Sequence, residues 1–242
     1  MNHEILIVLG AVIAGSVAAL SGFGIGSILT PMFASLMGTK LAVAAVSLPH
    51  FIGTALRFAL IRKHLDRRVL VTFGITSAIG GLAGALLHVW LRSAVLGYLL
   101  GSLLVFAGLM GITGITEMIR FGRTAGWIAG ALSGIFGGLV GNQGGIRSAA
   151  LLGFEVSKES FIATATAIAL LVDIFRMPVY AATQYRQLIP IWATIALATV
   201  GVIIGTLAGK PLLRWIPEKM YRTIISLAIL GLGVWMLFHP GA

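Results

Sequence analysis

With 242 residues, 58% of them hydrophobic and only 10% charged, and a mean hydropathy of +1.03, the chain is far too apolar for a soluble domain, where about a quarter of residues carry charge. The net charge of +10 would suit nucleic acid, but the basic residues are scattered through short connections between apolar runs, so the expected partner is a lipid bilayer and no nucleic acid. The absence of cysteine excludes a disulfide framework and a thiolate metal site.

The amino terminus, Met1-Asn2-His3-Glu4, has no basic region and leads into a run without a small-residue cleavage site, so no cleaved signal peptide is expected. A full crossing takes about 20 apolar residues, and spans are assigned on that length. Residues 5–20 form a short apolar helix ending at the glycine-rich stretch Ser21–Gly26, and 27–37 is too short to cross alone. Together they read as a hairpin or broken helix. Residues 41–61 and 69–90 are full spans joined by Arg62-Lys63-His64-Leu65-Asp66-Arg67-Arg68, the densest basic loop of the chain and hence cytoplasmic. Residues 94–116 cross back to the charged connection Glu117–Arg123.

The pattern then recurs. Residues 125–140 lead into a second glycine-rich stretch, Gly134–Arg147, followed by a short run at 146–153 and full spans at 159–181, 188–209 and 220–238. Gly26 and Gly144, and Lys40 and Lys158, are 118 positions apart; Arg57 and Arg176 are 119 apart; Gly80 and Gly84 match Gly201 and Gly205 at 121. A spacing that drifts this smoothly predicts an internal duplication, 1–118 and 124–242. Each half holds an odd number of full spans, so the halves are expected to be inverted, with both termini outside and the basic run Lys210, Arg214, Lys219, Arg222 inside. The expected fold is an all-α polytopic membrane protein of eight to ten apparent helices in the inner (plasma) membrane.

Two glycine-rich stretches at membrane depth demand an explanation, because backbone there must be hydrogen-bonded within the protein or line a polar cavity. Each glycine in a helix costs about 1 kcal/mol against alanine, so broken backbone is expected over Gly22–Gly26 and Gly137–Gly145. Exposed N–H groups at the helix starts that follow would make anion sites, aided by the helix dipole. Paired interrupted segments in corresponding halves are the mark of a transporter's binding site. For Gly80, Gly84, Gly201 and Gly205, on unbroken spans, close helix packing suffices.

The expected substrate-binding residues are Ser21, Gly24, Gly26 and Thr30 around the first break and Asn142, Gln143, Gly144, Gly145, Arg147 and Ser148 around the second, with His50 and Arg176 from the spans. An arginine facing lipid costs at least about 2.5 kcal/mol, so Arg147 must face protein or water, either holding freed carbonyls or an anion. Asp173 and Arg176 share a helix face at i, i+3, where they either neutralise each other or serve coupling. Asp173 and His50 are the titratable candidates for a coupling proton. His50 follows Pro49, which frees a backbone carbonyl that the histidine could instead satisfy. Arg57 is near enough to its span end to snorkel. No His/Asp/Glu grouping has metal-ligand spacing, and neither a metal nor any other cofactor is expected.

The stretches SGFGIGSILTPMF at 21–33, AVAAVSLPHF at 42–51, GLVGNQGGIRSAALL at 138–152 and SKESFIATATAIALLVDIFRMPVY at 157–180 resemble the sulfite exporter TauE/SafE family of membrane anion permeases. The resemblance covers essentially the whole chain and implies movement of sulfur oxyanions or small organic acids such as sulfite, sulfoacetate or related sulfonates. A secondary transporter for a small anion is therefore expected, working by alternating access and possible as a homo-oligomer. The alternatives are a fixed-charge anion channel and, more distantly, an intramembrane hydrolase using Ser133 and His50, which lack any signature placing them together.

Overall fold

The computed structural model describes residues 2–22, 24–114, 123–152, 157–213 and 218–241. In chain order its helices are α1 (Asn2–Ser21), α2 (Ile25–Met37), α3 (Thr39–Ile61), the single turn α4 (Arg67–Val69), α5 (Ile75–Trp90), α6 (Ser93–Thr113), α7 (Arg123–Val140), α8 (Gly144–Leu152), α9 (Lys158–Leu188), α10 (Trp192–Leu213) and α11 (Glu218–Phe238). A π turn at Leu70–Gly74 joins α4 to α5, so Arg67–Trp90 is one continuous rod. Helices are the form that satisfies every backbone group within one segment, which hydrocarbon requires.

The chain is an all-α, multi-pass membrane protein. Among the described residues five helical segments are long and apolar enough to cross a bilayer: Glu4–Ser21, Thr39–His64, Arg67–Trp90, Ser93–Thr113 and Glu159–Gly209, the last running from α9 into α10. Leu6, Leu9, Ile13, Ile79, Leu86, Val200, Ile204 and Leu207 point outward, while Arg57, Asp173, Arg147 and Arg176 are buried. This is the reverse of a soluble protein, and it puts the polar side chains where only protein or a cavity can meet them.

Glycines set the helix pairs. A Cβ on Gly201 would lie 2.7 Å from the Ala11 Cβ and 3.0 Å from the Val8 carbonyl oxygen, one on Gly205 would overlap the Val12 carbonyl, and one on Gly209 would come within 2.9 Å of Ser16. The matches ascend together, so α1 and α10 run parallel with their backbones in contact. Gly80 and Gly84 of α5 meet Ala131 and Ile135 of α7 in the same manner, so α5 and α7 also run parallel. The close packing expected of these four glycines is what they do.

Two ends of the bundle can be told apart. The Asp66 N–H donates to Thr164 Oγ1 at 3.0 Å, tying the basic loop to the start of α9. At the opposite end of α3, Thr39 Oγ1 donates to the Pro240 carbonyl at 3.3 Å, which brings the carboxyl-terminal residues beside α3's first turn. Since α2 leads through Gly38 straight into α3, the α1–α2 hairpin opens at this second end.

The structure corrects several boundaries. Helix α1 ends at Ser21 and α2 begins at Ile25, so Gly26 lies inside α2 and not in the first break. The second covers only residues 141–143: Gly134, Gly137 and Gly138 belong to α7, and Gly144 and Gly145 to α8. These glycines are used for packing, since a Cβ on Gly134 would overlap the Ser77 carbonyl and one on Gly138 the Gly81 carbonyl. Residues 182–187, expected as a connection, are helical, and the turn to α10 is made at Ile189–Ile191 around Pro190. Ten helices of nine residues or more are present among the described residues, the upper end of the expected number. The expected connection Glu117–Arg123 is described only at Arg123, and Arg214 lies outside the described residues.

Candidate functional site

The two breaks are built alike. Gly22 has φ +79° and Gly141 φ +71°, a left-handed turn that glycine alone adopts at no steric cost. Each turn stops one helix and lets the next begin at an angle to it, leaving carbonyls of the first and N–H groups of the second without helical partners. The tips touch, since a Cβ on Gly26 would overlap the Gly141 carbonyl. The starts of α2 and α8 thus lie beside one another in the interior.

Arginines hold the freed carbonyls. Arg57 donates from one terminal nitrogen to the Ala18 carbonyl at 2.7 Å, from the other to the Gly22 carbonyl at 3.1 Å, and from Nε to Thr166 Oγ1 at 2.9 Å. Arg176 donates to the Gly137 carbonyl at 2.7 Å. The Tyr180 hydroxyl donates to the neighbouring Gly138 carbonyl. Cations at the carboxyl ends of α1 and α7 also suit the negative ends of those helix dipoles. The snorkelling expected of Arg57 does not occur: only 4% of it is exposed, because the broken end of α1 supplies acceptors inside the bundle.

Facing helices α3 and α9 supply the ionisable centre. The Asp173 carboxylate accepts from Arg176 Nε at 2.8 Å through one oxygen and from His50 Nδ1 at 2.6 Å through the other. His50 therefore pairs with an acid on α9, and its Cδ2 edge lies 3.9 Å from where a Gly26 Cβ would be. Arg147 reaches the Gly22 carbonyl at 3.3 Å with one terminal nitrogen, whereas its Nε and other terminal nitrogen have no hydrogen-bond partner among the described residues. The same is true of Thr30 Oγ1, Asn142 Nδ2 and Gln143 Oε1, all buried around the two tips.

This whole arrangement is spanned by one family model, that of the sulfite exporter TauE/SafE, which matches residues 7–236. The chain belongs to the TauE/SafE family. No curated protein and no solved structure matches it. TauE/SafE is a family of exporter-type anion transporters, and the chain is accordingly a membrane transport protein.

Of the residues that sequence singled out in this TauE/SafE chain, Gly26, Thr30, His50, Asn142, Gln143, Asp173 and Arg176 lie at the tips or in the network between α3 and α9, and Arg147 reaches across to the first break. Others sit apart. Ser21 Oγ donates to the Val17 carbonyl of its own helix at 2.9 Å, and Gly24, at φ +132°, packs on the Val17 side chain. A Cβ on Gly145 would meet Ala107 of α6 at 3.0 Å, so that glycine's open side faces packing. Ser148 is half-buried in α8. Ser133 Oγ faces the Gln143 carbonyl at 3.5 Å while His50 holds Asp173, so the serine and the histidine take different partners. Sequence reasoning passed over Tyr180 and the inward role of Arg57. Their signal was spacing, for His50, Thr54 and Arg57 on α3 and Asp173, Arg176 and Tyr180 on α9 each recur at helical intervals.

Proposed function

We propose that the chain is a secondary transporter for a small anion, a sulfur oxyanion or organosulfonate such as sulfite or sulfoacetate, bound between the two tips and exposed alternately to either side. The observation that carries this reading is a buried charge imbalance. Three guanidiniums, those of Arg57, Arg147 and Arg176, lie in the interior against the one carboxylate buried among the described residues, that of Asp173. Two positive charges are left over, and buried charge persists only when paired. An anion at the starts of α2 and α8 would supply the pairing, accept from the free donors of Arg147 and Asn142, and lie at the positive ends of two helix dipoles.

Inverted repeats, with residues 1–118 and 124–242 rocking about this site, are part of the proposal. They are supported by matched geometry at a constant spacing. Gly22 and Gly141, Ala18 and Gly137, and Arg57 and Arg176 are all 119 apart, and in each half the arginine holds that carbonyl at 2.7 Å. Helix pairing agrees: α1 packs on α10 as α7 packs on α5, and α6 packs on α11. The site departs from symmetry at Thr54, which stands 119 before Asp173 and leaves a single acid in the centre. We place the protein in the inner membrane with both termini outside, and assign the coupling proton to the Asp173–His50 pair.

The test is uptake into proteoliposomes of sulfite, thiosulfate, sulfonates and carboxylates, with and without an imposed pH gradient. Accumulation of a sulfur anion against its own gradient, driven by pH, is expected. Downhill equilibration only would make the protein a channel, and transport of carboxylates alone would remove the sulfur assignment.

A further inference from the structure

The carboxyl end of α7 is held by more than charge. Three successive carbonyls just before the second break each accept from a different side chain: Gly137 from the Arg176 guanidinium at 2.7 Å, Gly138 from the Tyr180 hydroxyl, and Leu139 from His88 Nδ1 at 2.7 Å. A carbonyl only accepts, so the His88 nitrogen facing it carries the proton. The second ring nitrogen, an acceptor in the neutral ring, takes the Gln184 amide at 3.2 Å. Arg176, Tyr180 and Gln184 follow one another at intervals of four along one face of α9, His88 comes from α5, and all four side chains are buried. The His88 ring lies 5.0 Å from that of Tyr180, so the two donors also brace each other.

The first hairpin is held differently. Arg57 takes the Ala18 and Gly22 carbonyls, and Arg147 adds a bond to Gly22. These donors are all cations of the central charge cluster. At the spacings of the proposed repeat, Tyr180 corresponds to Ile61 at 119 and His88 to Gly209 at 121, and neither of those residues has a side-chain donor. The neutral pair is thus an addition of the second half, whose break is the one flanked by the unmet donors of Asn142 and Arg147. A guanidinium gains by exchanging a carbonyl for an anion, because the charge-assisted bond is the stronger. A neutral hydroxyl or imidazole feels no such pull, so it keeps its carbonyl while the arginines change partners.

Resting on the reading of the chain as an anion transporter, we propose that His88 and Tyr180 are positioning residues for the anion site. They touch no substrate. They fix the last turn of α7, and through the left-handed turn at Gly141 they set where Asn142 and the Arg147 of α8 stand.

Tyr180→Phe removes one oxygen and keeps the ring. His88→Asn keeps an N–H donor at the place of Nδ1, whereas His88→Gln moves it out to the place of Nε2, so the two amides separate the Leu139 bond from polarity alone. Hydrogen exchange, read by mass spectrometry on protein in nanodiscs, compares residues 142–147 with residues 24–28 of the other hairpin. Tyr180→Phe and His88→Gln should each speed exchange over 142–147 about tenfold and leave 24–28 unchanged, with His88→Asn close to the unaltered protein. In the same two variants the sulfite concentration that half-saturates uptake should rise about tenfold, with the rate at saturation within about twofold. A merely structural loss would speed exchange at both tips alike and lower the rate without moving half-saturation. That pattern, unchanged exchange over 142–147, or unchanged half-saturation would overturn the proposal. If the His88 variants do not yield folded protein, Tyr180→Phe decides alone. An unaltered protein that takes up no sulfite would count against the transporter reading, and the exchange pattern would still decide whether the pair holds the second tip.

Discussion

Arg147 and Asp173 are the two residues at which charge, burial and unmet bonding coincide. Among the described residues Arg147 keeps a single hydrogen bond, to Gly22, and holds two donating nitrogens free in the interior. Arg147→Ala is therefore expected to abolish anion binding measured calorimetrically on folded protein. Arg147→Lys should recover less than about half the affinity, since a point charge does not reproduce paired donation to an oxyanion. Undiminished affinity in the alanine variant would reduce Arg147 to a prop for Gly22. Asp173 joins His50 to Arg176 through its two oxygens, so an anion that draws Arg176 away weakens one hold on the carboxylate and changes its affinity for a proton. Asp173→Asn should remove the dependence of uptake on a pH gradient while anion exchange continues. It should also destabilise the protein by up to about 3–5 kcal/mol, the scale of a broken buried pair. His50→Gln serves as the parallel test, keeping a hydrogen-bonding side chain without the titration. Gradient-driven accumulation persisting in both variants would assign coupling to another ion.

Among the elements, the breaks owe their position to packing as much as to glycine content. Helix α7 carries Gly130, Gly134 and Gly138 in unbroken helix where Phe73, Ser77 and Gly81 lie against its backbone, its Gly137 faces Gln143 and Val172, and only Gly141 turns left-handed. Gly84→Ala would drive a methyl into the Ile135 backbone, and thermal unfolding should show a loss of about 1–3 kcal/mol, as for other overpacked interiors. Gly231 of α11 has nothing within 4 Å of its would-be Cβ, and Gly231→Ala should be neutral or slightly stabilising. If both variants behave alike, backbone contact between α5 and α7 is not what holds the second hairpin in place.

For the whole molecule, the ends of α3 decide what labelling should find. Lys63 lies at the end where the basic loop joins α9, and Gly241 lies near Gly38, 3.5 Å separating its carbonyl oxygen from the position of a Gly38 Cβ. Cysteines introduced at Lys63 and at Gly241 should react from opposite faces of the membrane, Gly241 from outside. Reaction of both from one face would end the inverted arrangement and the alternating access that depends on it.

Hydrophobic run length by itself determined that the chain crosses a membrane and roughly where, since a bilayer imposes one length on every span. The spacing of Gly26 and Gly144 and of Arg57 and Arg176 suggested the two halves proposed above, and glycine clusters placed two interruptions within a few residues. Local sequence could not say which glycines break a helix and which seat a neighbour. A Cβ on Gly138 would overlap the Gly81 carbonyl, whereas Gly141 turns to φ +71° and one on it would lie 3.2 Å from an Arg176 nitrogen. Nor could it pair His50 with Asp173, or turn Arg57 inward to Ala18 and Gly22, because those contacts join residues far apart in the chain and exist only once α3, α9 and the hairpin tips are packed together. The sequence determined the charges; only the tertiary structure decided which of them remain unpaired, because pairing depends on distance in space.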